Sequence, residues 1–176
     1  TGTQTLGGVN SDYSGATNIE AGTLVVSGET AVGDGSAVTI ASGATLELAS
    51  NESVGSLAGA GAVDLGANTL TAGFNHNSTT FSGVMDGTGG YTKTGNGTLT
   101  LTGANTYSGD TTISTGTLAL GNGGTGGSVS GNITNNGALQ FNRSDDITVS
   151  NTITGTGSLT QSGTGTLTLS DSGAFG

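Results

Sequence analysis

The sequence predicts an all-β chain wound as a parallel β-helix, and three observations carry that prediction. Short runs of alternating apolar and polar residues, bounded by Gly or Asn, fill the chain, and no stretch shows apolar residues at helical spacing. Runs led by leucine recur every 19–29 residues, close to the periods of solenoid repeats. Hydrophobic residues make up 31% of the 176 residues, beside 36 Gly and no Pro. That is little apolar mass for one wide core, but enough for a core one or two side chains across. Low charge and many β-branched residues argue against disorder, and Gly without Pro argues against a collagen helix.

The strands follow in order as "TLVVS" from Thr23, "TLELA" from Thr45, "TLTAG" from Thr69, "TLTLT" from Thr98, "TLALG" from Thr117, "ALQFN" from Ala138 and "TLTLS" from Thr166. Side chains alternate across a strand. The pairs Leu24/Val26, Leu46/Leu48, Leu70/Ala72, Leu99/Leu101, Leu118/Leu120, Leu139/Phe141 and Leu167/Leu169 therefore point inward. Val25, Glu47, Thr71, Thr100, Ala119, Gln140 and Thr168 point outward. Read as one ladder with one rung per turn, these give seven or eight turns of about 20–25 residues. Stacked about 4.8 Å apart they make a rod on the order of 35 Å long. Gly and Asn supply the corners, and long irregular turns favour a right-handed coil.

A longer repeat overlies the short one. "GTLTLTGANTYSG" from Gly97 is matched by "GTQTLGGVNSDYSG" from Gly2, with one inserted residue, and by "GTLTLSDSGAFG" from Gly165. Tyr13, Tyr107 and Phe175 share one repeat position, which suggests a corner residue covering the core edge. The copies are offset by 94 and 68 residues, read here as four and three whole turns. The expected organisation is a single β-helical segment over 1–176, with copies starting near 2, 97 and 165, cut at both ends from something longer.

The net charge is -10, with Lys93 and Arg143 as the only strong cations, both expected at the surface. Nucleic acids and anionic membrane surfaces need basic residues, so neither is an expected partner. The absence of Cys excludes disulfides and thiolate sites. The carboxylates Asp12, Asp34, Asp64, Asp86, Asp110, Asp145, Asp146, Asp171, Glu20, Glu29, Glu47 and Glu52 are scattered and often sit beside Gly or Ser, as turn residues do. A glycan hydrolase needs two carboxylates across one bond. The one adjacent pair, Asp145–Asp146, should point to opposite faces of a strand. A calcium-binding nonapeptide is not formed: Gly121–Ser128 has the glycines without the acids, and Asp86 and the "GDGS" at Gly33 are isolated. An ice-binding Thr face would use Thr98/Thr100 and Thr166/Thr168, but Glu47, Ala119 and Gln140 interrupt the outward row. His76 reads as a solvated loop residue. The sequons at Asn51, Asn77, Asn96, Asn132 and Asn142 read as chance in a Thr- and Asn-rich chain. No catalytic, cofactor-binding or metal residue is assigned, no cofactor is expected, and the chain is not expected to be an enzyme.

The segment Gly87–Leu120, "GTGGYTKTGNGTLTLTGANTYSGDTTISTGTLAL", resembles the autotransporter-associated β-strand repeat, also called the passenger-associated transport repeat. Ser53–Gly73 is similar to the text between such repeats, and Asn151–Ser170 begins a further copy. Tyr91 stands where the repeat usually has Leu, and the first copy departs at Gln4 and Asp12. The resemblance implies the passenger of a type V secreted protein of a Gram-negative bacterium. Such a passenger crosses the outer membrane unfolded through a C-terminal β-barrel of the same polypeptide and folds outside as a stalk. It implies a cell-surface or extracellular location, tethered to the outer membrane or released. It also implies two candidate roles, a structural stalk that supports secretion, or adhesion to host or neighbouring cells through the flank of the coil.

Overall fold

A computed structural model describes residues 2–9 and 13–170. Among them no helix forms and every strand pairing is parallel. The chain winds as a three-faced coil. The first sheet stacks β1 (Thr3–Val9), β3 (Gly22–Thr30), β5 (Ala44–Leu48), β8 (Ala62–Asp64) and β11 (Val84–Asp86). The second sheet is continuous from β2 (Thr17–Ile19) through β4 (Ala37–Ile40), β7 (Ser56–Gly59), β10 (Thr79–Phe81), β13 (Thr98–Leu101), β15 (Thr117–Leu120) and β17 (Ala138–Phe141) to β20 (Ser158–Gln161). The third holds β6 (Glu52–Val54), β9 (Leu70–Ala72), β12 (Tyr91–Lys93), β14 (Thr111–Ile113), β16 (Ile133–Asn135) and β19 (Ile153–Thr154). A last pair, β18 (Ile147–Val149) with β21 (Leu167–Leu169), completes the set. The eight rungs of the second sheet give a β-solenoid of about eight turns.

Register fixes the core. On the second sheet Val38, Leu57, Thr79, Leu99, Leu118, Leu139 and Leu159 stack in one row, apolar except at Thr79. Beside it Ile19, Ile40, Gly59, Phe81, Leu101, Leu120 and Phe141 form another. Tyr91, Tyr107, Phe81, Phe141 and Met85 are the bulky side chains at its centre, none more than 1% exposed. One turn advances 17–22 residues in register, as in Leu46↔Val63 and Val63↔Met85.

The inward and outward assignment of the leucine pairs holds, but their arrangement differs from a single ladder. Leu24 and Leu46 pair on the first sheet, Leu70 lies on the third, Leu99, Leu118 and Leu139 on the second, and Leu167 on β21. The long repeat is therefore not an integer number of turns. Leu24 and Leu118, at the same repeat position, occupy different faces. So do Leu99 and Leu167. Alternation is local and depends only on strand geometry. Which face a strand occupies depends on the residues spent on the preceding corners. Ala119, expected outward, is nevertheless 4% exposed, a small side chain between its row neighbours Thr100 and Gln140.

Stacked corners need glycine where two backbones close up. A Cβ on Gly83 would run into the Gly61 carbonyl oxygen, and one on Gly103 into that of Gly83. Asparagine side chains tie other corners to the next turn. Asn68 Nδ2 donates to Leu48 O at 2.8 Å, Asn51 Oδ1 accepts the Thr69 N–H at 2.8 Å, and Asn151 Nδ2 reaches the Ser130 and Gly131 carbonyls at 2.8 and 2.6 Å.

Candidate functional site

The three outer faces differ in chemistry. On the first sheet Val25, Glu47, Asp64 and Asp86 stand in register, so three carboxylates are stacked on successive turns. Like charges directly opposite one another repel. Asp64 is also a turn residue, its Oδ1 accepting the Gly66 N–H at 2.8 Å. The outer row of the second sheet is mixed, with Asn18, Thr39, Ala58, Thr80, Thr100, Ala119, Gln140 and Thr160. The third sheet carries an unbroken hydroxyl row of Ser53, Thr71, Thr92, Thr112, Thr134 and Thr154. The Thr face weighed at Thr98/Thr100 and Thr166/Thr168 does not form, and Ala119 and Gln140 do interrupt the row of Thr100. Thr100 and Thr168 lie on different sheets, and the continuous row runs through Thr92 and Thr112.

Several polar groups lie inside the coil. Lys93 is 2% exposed, which overturns its expected place at the surface. Its Nζ donates to Thr94 O at 2.5 Å and Gly95 O at 2.9 Å. Burial pulls its ammonium below the ordinary lysine range. The signal was in "YTK": with Tyr91 inward and Thr92 outward, alternation turns Lys93 inward. Glu52 is inward by the same pattern in "ESV" and is 2% exposed. Its two oxygens accept the N–H groups of Ala31 and Val32, one turn away, at 3.1 and 3.2 Å. Burial raises its carboxyl to about 7, against the lowering effect of the Val32 and Ala31 N–H groups, and Asp34 raises it further. Tyr107 and Thr111 exchange a hydroxyl bond of 2.7 Å inside the core. Burial lifts both Tyr107 and Tyr91 above the ordinary phenol range, and the Tyr91 hydroxyl has no hydrogen-bond partner among the described residues.

Comparison with known sequences decides what the coil belongs to. The Passenger-associated-transport-repeat matches residues 1–26, 92–120 and 159–175. The Adhesin BmaC autotransporter of Brucella suis biovar 1 (strain 1330) is 40% identical over 176 aligned positions. The chain is an autotransporter passenger segment. The alignment covers 87% of the segment but 5% of the relative, so the segment spans a small part of that protein's length. No solved structure matches it. As an autotransporter passenger it belongs to the bacterial cell surface, outside the outer membrane.

The residues weighed from the sequence fall into structural positions in the passenger segment. Asp145 holds Arg143 in a two-point pair, with Nε to Oδ1 at 3.0 Å and Nη2 to Oδ2 at 2.7 Å, and this bond lowers the Asp145 carboxyl. Arg143 also donates to Gly127 O at 2.9 Å, so its side chain, 14% exposed, is a bracket between turns rather than the surface charge expected. Asp146 accepts the Thr166 N–H at 2.7 Å, which lowers its carboxyl too. The adjacent pair is thus divided between two structural tasks. His76 is an exposed loop residue with φ 61°, its Nδ1 accepting the Asn96 N–H at 3.1 Å. Asp12, Asp171 and Phe175 lie outside the described residues. Among the described residues no group of three or more His, Cys, Asp or Glu side chains could hold a metal ion. A half-open cavity of about 170 Å³ is lined by Leu120, Val129, Ile133, Phe141, Ile147 and Val149 with Arg143 beside them.

Proposed function

We propose that the segment is a non-catalytic stalk of the passenger, supporting secretion across the outer membrane and holding a distal functional region away from the cell. The observation that carries this reading is the continuous second sheet, in which each of eight rungs is hydrogen-bonded to the next. A turn emerging outside the membrane would bury its inward pair on the turn already folded and so oppose back-sliding. The partner implied is the C-terminal β-barrel translocator of the same polypeptide. The carboxylates fit this reading as corner and bracket residues, as at Asp64, Asp145 and Asp146. The test deletes one turn, residues 111–132, from the full-length passenger and measures the rate of surface display by protease accessibility. Slower display is expected; display at the native rate would sink the secretion role.

A second reading is adhesion through the flank of the coil, favoured by the relative's being an adhesin by name. It predicts that cells displaying the full-length passenger adhere to host or neighbouring cells, and that a passenger lacking this segment adheres less at equal display.

A further inference from the structure

We propose that the outer face of the third sheet is a binding strip for a neutral, linear polysaccharide lying along the coil axis. The inference rests on the adhesive reading and names its surface and ligand class. The strip is the row Ser53, Thr71, Thr92, Thr112, Thr134 and Thr154, in register over six turns. At about 4.8 Å per turn it is roughly 24 Å long. Among the described residues no hydrogen bond occupies these six hydroxyls. Each can both donate and accept, as a sugar hydroxyl does.

The surroundings select the ligand. The stacked positions two residues before the row hold Asp110 as their one charged side chain, and those two residues after hold none. An acidic polymer meets a chain of net charge -10 with no cation on this strip. A nucleic acid lacks its phosphate partners for the same reason. A protein partner lacks the aromatic and Arg anchors that dominate such interfaces. A linear polymer of pyranose rings advances about one strand spacing per residue, so successive sugars can meet successive turns. Each contact is weak, and the strip works by repetition along one ligand. A polymer should therefore bind where its monosaccharide does not.

The test uses gel electrophoresis of the 176-residue chain through hydroxyethylcellulose. Retardation is expected there, and neither polygalacturonate nor free glucose should reproduce or relieve it. The triple variant Thr92→Val, Thr112→Val, Thr134→Val keeps strand-forming side chains and should lose at least tenfold in apparent affinity. The matching Thr→Ser triple variant should retain binding, and Thr100→Val on the second sheet should leave it unchanged. No retardation of the native chain, equal retardation of a folded Val variant, or equal retardation by polygalacturonate would overturn the proposal. Cells that adhere while the chain ignores the polymer sink this inference alone, whereas cells that never adhere sink the adhesive reading beneath it.

Discussion

The first and second copies of the long repeat share their text and differ in their fate. In the second copy Tyr107 is fully buried and bonded to Thr111. In the first, Tyr13 is 43% exposed, and its hydroxyl donates to Ala16 O at 2.7 Å. The glycines differ likewise. A Cβ on Gly109 would strike the Gly89 carbonyl oxygen, whereas the one on Gly15, its counterpart, would meet only the Tyr13 ring at 3.2 Å. The second copy runs over β13, β14 and β15, with turns stacked on both sides. The first runs over β1, β2 and β3, and β1 pairs on one side only. A repeat residue in a solenoid is thus defined by the turns above and below it.

The sharpest way to break this comparison is to truncate both tyrosines. Tyr107→Ala should cost about 3–5 kcal/mol, the range for large aromatic deletions in a core, and Tyr13→Ala less than about 1 kcal/mol. Denaturant unfolding of the two variants checks it; similar losses would mean that the first corner is packed as the second is. Next come the glycines. Gly109→Ala should cost about 1–3 kcal/mol by overpacking, while Gly15→Ala should stay within about 0.5 kcal/mol, read by thermal melts.

Dependence on the neighbouring turn should also appear in the pH profile. Glu52 reaches the N–H groups of the turn beside it, and its folded carboxyl, at about 7, lies above its ordinary value of 4.5. The folded state therefore holds the proton more tightly. The stability this contributes is full below about pH 4.5 and is lost as pH rises towards 7. Glu52→Gln should flatten the difference between pH 5 and pH 7.5, measured by urea midpoints. The smallest effect belongs to the carboxylate row. Asp64→Asn retains the acceptor for Gly66 and removes one repelling charge between Glu47 and Asp86. It should stabilise by about 0.2–1 kcal/mol, and added salt should erase the gain.

Much of the fold was legible because strand alternation is local. "TLTLT", "TLALG" and "ALQFN" declared their inner and outer residues, and the same rule places Lys93 and Glu52 inside once "YTK" and "ESV" are read as strands. Expecting Lys93 at the surface and Glu52 in a turn hid both. The candidate binding strip was not legible. Thr92 and Thr112 are twenty residues apart, and nothing in either strand says that they are neighbours.

By itself, the sequence determined that this chain would coil in parallel strands, which residues would face the core, and that the coil would carry passenger repeats. Those properties follow from period-two alternation, glycine at close corners and the wording of the repeat. Only the tertiary structure decided which strands share a face, because corner length accumulates from turn to turn. It thereby turned one imagined leucine ladder into three sheets, assembled the Glu47–Asp64–Asp86 and Ser53–Thr154 rows, and buried Tyr107 while leaving Tyr13 in water.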